Sequence, residues 1–496
     1  MKSLKTLPMK TLKKAALTGL LALSINSIQA QSQAQKQINN DDIWSLREAV
    51  DYAMQNSITI KKSELQARTS EVTYFQSKMA FLPTITGNGS LQWNFGRYVD
   101  PTTNQFVNQT TQTGNYGISG NVLLFQGGQQ IHAYKQNQRL YQATQEDIEQ
   151  SKYNVSLNVA LYYLQVLQNQ ELVAAATSQL EVSRLQVERT DKLVKAGSLP
   201  QTNLFDLQAQ LANDQLSLTT AENNLRLAKL NLMQAMNLPA QDNFEVEKIE
   251  LPDPTINPYP QTAANIYDEA LRTQPSVKAA DIRVESSKYS IMSARGYLFP
   301  RLYLSAGLNT YYSSGQSKYV KTGEVYPTIG NVTVDGVPYT VTSIQKSTTY
   351  NQEKYSFGSQ ISDNLGQYVG FSLSIPIING WQYRNNISKT IVQRKSYELD
   401  AQSTRVTLRQ NIEQAYNDLR AAASQYQANR DQVAAQDLSF KSNEARFSAG
   451  LANSLDYNTS KNNLARAQAN LINSKYTYYF RVKILDFYQN KPLTFE

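Results

Sequence analysis

The chain repeats itself, and this repeat constrains its fold more than any other feature. Residues 125–239 align with residues 378–492 without a gap, at a separation of 253 residues. Three landmarks recur at this separation: a glycine after a strand-like run, an Ala-Gly pair inside a helical pattern, and an Asn-x-Pro tripeptide that ends one. A shorter match aligns residues 77–83 with 294–300. Because repeated units usually pack against their own copies, the pattern favours a tube or ring over an enzyme cleft.

The repeats divide the mature chain into two halves, residues 31–261 and 262–496. Residues 1–30 precede them and carry five lysines, then an apolar run, then small residues up to Ala30. This order is typical of a secretory signal peptide cleaved after Ala30. Cleavage lowers the formal charge from +8 to +3, so the basic balance does not indicate nucleic-acid binding.

Composition narrows the class of protein further. The chain has no cysteine, which excludes disulfides, a cysteine-based zinc site and lipid attachment through an N-terminal cysteine. The mature chain has no apolar run long enough for a transmembrane helix, yet it contains all 31 tyrosines. An exported chain of this kind fits an outer-membrane β-barrel. A soluble periplasmic protein is the alternative that composition leaves open.

Four long segments lack both glycine and proline, and each is predicted to be a helix. Two of these segments, 129–196 and 381–449, are nearly 70 residues long, and they predict helices at about 127–195 and 380–448, each roughly 100 Å in length. Shorter return helices are predicted at about 200–236 and 453–489, after the Ala-Gly turns. Residues 237–261 form the linker between the halves.

Steps of three and four between apolar or small residues predict coiled-coil seams along the first long helix and its return helix. The predicted seam of the long helix is Val155, Val159, Tyr162, Val166, Asn169, Val173, Ala176, Leu180, Ser183 and Val187. That of the return helix is Leu204, Leu207, Leu211, Asp214, Leu218, Ala221, Leu225, Ala228, Leu232 and Ala235.

Two β-hairpins are predicted between the helices, at about 84–125 and 301–378. Their strands alternate between apolar residues on one face and small or polar residues on the other, which is typical of a barrel with lipid outside and water inside. A half-buried soluble sheet is the alternative. The second hairpin contains a long loop, 313–367, with its own hairpin signal at Val334–Val337.

Four strands leave two open edges, which lipid does not tolerate. The barrel is therefore expected to close between chains. Two copies would give eight strands, nearly filled by side chains, whereas three would give twelve and leave a lumen. A conduit therefore favours the trimer.

This ordered and duplicated set resembles the TolC-like outer membrane factors of Gram-negative bacteria. The local motifs that carry the resemblance are FLP at Phe81–Pro83, LFP at Leu298–Pro300, and the helix tips at 195–199 and 448–452. The resemblance implies a mixed α/β membrane protein with four transmembrane strands per chain. Three copies would form a twelve-stranded barrel in the outer membrane and an α-helical coiled-coil tunnel through the periplasm.

The resemblance also implies partners and sites. The homotrimer would dock on a periplasmic membrane-fusion adaptor and an inner-membrane transporter of RND, ABC or MFS type, as in tripartite efflux or type I secretion, with drugs, metals or proteins as cargo. The implied adaptor-docking tips are Ala196, Gly197, Ser198, Leu199, Ala449, Gly450, Leu451 and Ala452.

The periplasmic aperture of the family is narrowed by residues after the second tip. Asp456 matches the first of two acidic positions, but the second is Thr459 and a basic latch position is Ala452. The first-half candidates are Asn203 and Asp206. An acidic residue at a helix start can also simply interact with the helix dipole. Both interpretations stay open for Asp456, and the dipole is favoured for Asp206.

No pattern predicts catalysis, a cofactor or a metal site. His132 is the single histidine, and a transition-metal site without cysteine would need carboxylates, which bind such metals less selectively. Gly117–Gly120 resembles a nucleophile motif but lies within a strand. The sequence therefore predicts a passive outer-membrane export duct with porin activity. The alternative is a structural or adhesive coiled-coil envelope protein whose long loop binds a partner.

Overall fold

The structure is a computed structural model that describes residues 43–99, 104–108, 110–249, 251–255 and 259–491. The predicted signal peptide, residues 1–30, lies outside this part of the chain. Within it, no helix is long and apolar enough to cross a membrane.

The helices of the two halves have matching lengths. The helices of the first half are α1 (Leu46–Asn56), α2 (Ile58–Met79), α3 (Gln129–Lys195) and α4 (Gln201–Met236). Those of the second are α5 (Ala263–Thr273), α6 (Pro275–Gly296), α8 (Gln382–Ser448) and α9 (Ser454–Tyr488), with the short α7 (Phe357–Asp363) before α8. The long helices α3 and α8 each have 67 residues, which corresponds to about 100 Å. The starts of α3 and α8 differ by the repeat separation read from the sequence.

Local signals explain where several helices begin and end. The Ser45 hydroxyl and the Glu48 carboxylate form a capping box at the start of α1, which satisfies two otherwise unpaired N–H groups. The two asparagines that mark the end of the helical patterns, Asn237 and Asn490, adopt left-handed φ angles of 57° and 55°. Asparagine tolerates this conformation better than most residues.

Four strands form one antiparallel sheet in the order β12-β7-β5-β2. They are β2 (Thr84–Asn94), β5 (Thr111–Phe125), β7 (Arg301–Ser313) and β12 (Gly366–Ser374). The register places apolar residues of every strand on one face; they include Ile85, Leu91, Trp93, Ile118, Val122, Leu302, Leu304, Leu308, Val369, Phe371 and Leu373. The opposite face carries mostly threonine, serine, asparagine and glycine, together with tyrosines of β7 and β12 such as Tyr303 and Tyr368. The predicted alternation is confirmed.

The sheet corrects one predicted boundary. The second hairpin was predicted to extend to residue 378, but β12 ends at Ser374. Pro376 explains the difference, because proline has no N–H group to donate to a neighbouring strand. Ile377 and Ile378 follow the strand with side chains 89% and 91% exposed.

The long loop 313–367 contains regular structure. Strands β8 (Ser317–Val325) and β11 (Ser347–Lys354) pair with each other, as do β9 (Thr328–Val334) and β10 (Val337–Thr342). The predicted hairpin at Val334–Val337 is confirmed. Its two central residues, Asp335 and Gly336, have φ angles of 54° and 79°, and a two-residue type I′ turn requires a positive φ at both positions. In the first hairpin, β3 (Arg97–Val99) and β4 (Phe106–Asn108) pair in the same way.

Below the sheet, four helices lie side by side in the order α2-α3-α6-α8. The hydroxyls of Tyr74 on α2 and Tyr134 on α3 are 3.0 Å apart. The Ser286 hydroxyl on α6 donates to the Gln136 carbonyl on α3 at 3.0 Å, and Arg405 on α8 bonds to Asp281 on α6 at 2.5 Å. Each helix continues a strand or precedes one, so the helix layer repeats the order of the sheet.

The long helices pair with their return helices, α3 with α4 and α8 with α9. Every predicted seam position on α4 is buried or half-buried, and on α3 only Tyr162 is exposed, at 38%. The adjacent Tyr163 is fully buried instead, and its hydroxyl donates to the carbonyls of Trp44 and Glu247 at 3.1 and 2.8 Å. These acceptors belong to the short strand β1 (Ile43–Trp44) and to the segment after β6 (Glu245–Val246). The carbonyls of Trp44 and Glu247 therefore explain why Tyr163, and not Tyr162, points into the interior.

Candidate functional site

The two long helices end in matching turns at the far end from the sheet. Gly197 and Gly450 have φ angles of 73° and 74°. The N–H of Ser198 donates to Leu193 O at 2.9 Å, and the N–H of Leu451 donates to Arg446 O at 2.8 Å. This is the Schellman arrangement, in which a left-handed residue lets the last carbonyls find donors. Glycine adopts that conformation without a Cβ clash.

The turns are open to solvent. A Cβ atom placed on Gly197 or Gly450 would meet no atom within 4 Å. Of the eight tip residues predicted from the resemblance, six are exposed, and Leu199 and Ala452 are half-buried. Arg189 donates to the Ser448 hydroxyl at 3.3 Å, which places the two tips next to each other. The tips thus form one exposed surface.

The predicted aperture residues lie where the return helices begin. Asp456 is exposed in the first turn of α9, and its N–H donates to the side chain of Asn453 at 2.7 Å. Its carboxylate forms no ion pair with any described residue. Thr459 is exposed and Asn203 is half-buried.

Asp206 has a partner that sequence reasoning did not anticipate. Its carboxylate accepts a hydrogen bond of 2.6 Å from the hydroxyl of Ser454, a buried residue at the start of α9. Asp206 therefore does more than interact with the dipole of its own helix. Its bond to Ser454 connects the start of α4 to the start of α9, and Ser454 is two residues before Asp456.

A buried ion pair lies farther from the tips, between the two halves of the chain. Lys461 on α9 bonds to Asp214 on α4 at 2.8 Å, and the two side chains are 2% and 7% exposed. The ammonium group also donates to Ser183 on α3 and to the Gln179 carbonyl at 3.3 Å. Burial lowers the pKa of Lys461, and the bond to Asp214 opposes this shift. One cation thus joins three helices.

A second polar pair extends this network. Gln210 donates to Asp214 at 2.9 Å, and its amide exchanges hydrogen bonds of 3.0 and 3.1 Å with Asn462. Sequence reasoning placed Asp214 in an apolar seam but did not find Lys461. A carboxylate at a seam position was the available signal, because a buried charge needs a counter-charge.

Aromatic side chains close the space between this ion pair and the tips. The Tyr457 ring stacks on Phe447 with centroids 5.1 Å apart and lies 5.6 Å from Phe440. Burial, with a smaller contribution from Glu444, raises the pKa of Tyr457 to about 12. The phenol therefore stays neutral at any physiological pH.

The described residues contain no group of acidic or histidine side chains that could hold a metal ion. His132 packs against Tyr289 with ring centroids 6.4 Å apart. The site therefore comprises two exposed turns, an exposed carboxylate near them, the Asp206–Ser454 hydrogen bond between the helix starts and a buried ion pair farther from the tips.

Residues 49–238 and 266–486 match the family model described as outer membrane efflux protein. The chain is 22% identical over 425 residues to the outer membrane efflux protein BepC of Brucella suis, a match that spans 86% of this chain and 80% of BepC. It is 24% identical over 325 residues to the outer membrane protein TolC of Escherichia coli, which spans 65% of this chain and 58% of TolC.

Solved structures share the fold. The outer membrane protein VceC of Vibrio cholerae superposes with a TM-score of 0.70 at 13% identity, over 90% of this chain and 97% of VceC. The outer membrane channel CmeC of Campylobacter jejuni superposes with a TM-score of 0.66 at 14% identity, over 90% of this chain and 87% of CmeC.

Proposed function

This chain belongs to the outer membrane efflux protein family and resides in the outer membrane, and from this premise we propose that three copies form a passive exit duct. In the proposed trimer, twelve strands form a barrel through the membrane, and the long helices form a tunnel into the periplasm. Small molecules or proteins pass from the tunnel to the exterior. The chain itself performs no catalysis.

One observation carries the proposal. The four-stranded sheet has an apolar face, and its outer strands β2 and β12 have no partner on their far sides within the described chain. On that face Val369 is 75% exposed and Ile85 is 70% exposed. Apolar side chains are stable in contact with lipid, whereas the unpaired N–H and C=O groups of a strand edge are not. Pairing β2 of one copy with β12 of the next satisfies both requirements.

The proposed partners follow from the exposed tips. A periplasmic membrane-fusion adaptor would contact the turns around Gly197 and Gly450, and an inner-membrane transporter of RND, ABC or MFS type would supply the cargo. The exposed Asp456 would lie at the periplasmic aperture, with Asp206 and Asn203 nearby. Three copies around one axis would concentrate negative charge there.

Single-channel recording in planar bilayers tests this function. The purified protein should insert and conduct ions with uniform steps, whereas the heat-denatured protein should not. A folded protein that inserts without conducting would overturn the duct and favour the structural or adhesive alternative.

A further inference from the structure

The apolar face of the four-stranded sheet has two glycines among its larger side chains. Gly87 and Gly89 alternate along β2 with Ile85 and Leu91, so they belong to the apolar face. Glycine weakens a strand because it has no side chain to pack, and it often marks a place where a ligand approaches the backbone closely. These two positions therefore indicate a close approach of some other group to β2.

The two glycines differ in what covers them. A Cβ atom on Gly89 would lie 3.3 Å from the ring of Tyr116, so an aromatic side chain of the same chain covers this glycine. A Cβ atom on Gly87 would meet nothing closer than the carbonyl oxygen of Gly117, at 4.0 Å. The backbone at Gly87 is therefore open, and the described chain supplies no side chain to fill the space above it.

Apolar side chains surround this space and form a groove of about 480 Å³, a volume within the range of small-molecule sites. The register places Ile118 of β5 and Leu308 of β7 in one row with Gly87. These two side chains and that of Leu365, which precedes β12, line the groove and are 54%, 43% and 49% exposed. The groove is thus apolar and open to the surroundings of the sheet.

Helix α7 borders the groove on the side of the long loop. The Phe357 ring of α7 lies 5.0 Å from the ring of Tyr312 and 5.9 Å from that of Tyr116. The hydroxyl of Thr310 donates to the carbonyl of Ile361 at 2.9 Å. The three sheet residues in these contacts all lie on the apolar face, so α7 packs on this face and limits the groove at that end.

The groove lies at the hydrocarbon depth of the proposed barrel. Leu308 is seven residues from the start of β7 and five from its end. At 3.3 Å per residue it lies about 23 Å along the strand from the helix side and about 17 Å from the loop side. Among the described residues that line the groove, none is charged. A hydrocarbon chain matches both the depth and the composition of this site.

We propose that the groove binds one acyl chain of a membrane phospholipid, which lies against Gly87 and contacts Ile118, Leu308 and Leu365. The chain fills the space through many small dispersion contacts. This inference rests on the barrel proposed above, because only a sheet embedded in a membrane meets lipid.

The charges near α7 also favour recognition of the chain over recognition of a headgroup. Lys318 pairs with Asp363 of α7 at 3.9 Å, and Lys321 pairs with Glu324 at 2.9 Å. Because these lysines already have acidic partners, they do not form a cluster of free cations for a polyanionic headgroup. The site therefore takes its lipid by the hydrocarbon part.

A photoactivatable phospholipid tests the site on the unchanged protein. The protein is reconstituted into phosphatidylethanolamine vesicles that contain a trace of phosphatidylethanolamine with a diazirine in one acyl chain. After irradiation, peptide mass spectrometry should find more label on Ile118, Leu308 and Leu365 than on Val369 and Phe371. These two residues lie on the same face and are more exposed, at 75% and 71%. Label in proportion to exposure would overturn the site.

Gly87→Leu is the variant that fills the groove. A side chain at this position has open space, and the backbone is not left-handed, so the variant should fold. Native mass spectrometry in detergent with added phosphatidylethanolamine should find one retained lipid per chain in the wild-type protein and none in Gly87→Leu.

Gly330→Leu is the matched control. Gly330 is also a strand glycine with open space around it and without left-handed backbone, but it lies on β9 in the long loop, outside the groove. This variant should retain as much lipid as the wild-type protein. Loss of the lipid in Gly330→Leu to the same extent as in Gly87→Leu would overturn the assignment of the groove.

The particle mass in the same spectra separates this proposal from the trimer. Equal lipid retention by the wild-type protein and Gly87→Leu, in particles with the mass of three chains, would overturn the lipid site and leave the trimer standing. Particles with the mass of one chain that lose their lipid in Gly87→Leu would support the site and overturn the trimer. If Gly87→Leu does not fold, the labelling pattern of the wild-type protein decides.

Discussion

At the scale of single residues, the function proposed for this protein depends on a few charges at the helix starts. Asp456 is exposed and has no ionic partner among the residues that the structure describes, whereas Asp206 is bonded to Ser454. Asp214 is buried against Lys461. These three aspartates have the same side chain, but they differ in exposure to solvent and in hydrogen-bond or ionic partners. Their proposed roles differ for that reason.

Asp456→Asn should reduce the preference of the channel for cations and any blockade by divalent cations added from the periplasmic side. Like charges that converge on one axis attract cations. We expect a modest effect, because Thr459 stands where the family has a second acidic residue. Bilayer recordings measure both quantities. Asp437→Asn, which removes a carboxylate paired with Lys441 on the surface of α8, should change neither; equal behaviour of the two variants would remove Asp456 from the aperture.

Lys461→Met should lower the free energy of unfolding by about 3–5 kcal/mol, because it leaves the buried Asp214 without its counter-charge. Combining it with Asp214→Leu should recover most of the loss, since an apolar pair can replace a buried ion pair. Thermal unfolding followed by the helical circular dichroism signal measures the effect.

Lys441→Met is the matched control for this prediction. Lys441 also bonds to an aspartate, at 2.6 Å, but its side chain is 65% exposed. An exposed pair of this kind contributes about 0.3–0.5 kcal/mol. If Lys461→Met were as mild as Lys441→Met, the buried pair would not hold the three helices together.

At the scale of the elements, the two helices of equal length, α3 and α8, connect the sheet to the tips. The two helices have 67 residues each, about 100 Å in length, and are far longer than the helices of globular domains. Neither α3 nor α8 contains glycine or proline, so neither has a residue that commonly kinks a helix. Each ends at a glycine with left-handed backbone, which returns the chain at a fixed point and presents the tip.

Gly197→Val combined with Gly450→Val should abolish co-purification with the adaptor while the protein still inserts and conducts. A left-handed non-glycine residue costs roughly 1–2 kcal/mol, and the added side chains have open space, so the fold should survive. Adaptor capture and bilayer conductance measure the two outcomes.

Ala196→Val combined with Ala449→Val is the control for bulk. These residues have right-handed φ angles of −81° and −86°, so valine adds volume without backbone strain. Partial loss of adaptor binding in this control is expected. Unchanged adaptor binding in the glycine double variant would contradict the assignment of the tips.

At the scale of the whole molecule, the proposed trimer makes the chain one part of a closed surface. A sheet with two unpaired edges and an apolar face cannot be stable alone in lipid. The helix layer below it carries the same two open sides. Strand pairing and helix packing therefore require the same neighbours, and both favour a ring of copies.

The detergent-extracted protein should accordingly have the mass of three chains, and a folded monomer should be scarce. Light scattering or native mass spectrometry measures this directly. The assembly should also resist heating in detergent, because every copy contacts two others. A folded particle with the mass of one chain would refute the trimer.

The sequence by itself determined what depends on neighbours along the chain. The repeat, the equal helices, the left-handed glycines and asparagines, and the apolar face of the sheet are all properties of spacing and of local backbone preference. The end of β12 at Ser374 was predicted wrongly: the second hairpin was extended to residue 378, although Pro376 lacks the N–H group that would continue the pairing.

Only the tertiary structure decided which distant residues meet. The predicted seam on α3 included Tyr162, but Tyr163 is the buried residue, because its hydroxyl bonds to the carbonyls of Trp44 and Glu247 far along the chain. The partner of Asp214 is 247 residues away, and periodicity carries no information at that distance. Helical and strand periods specify which face of an element is buried, whereas the contacts between elements specify what that face is buried against.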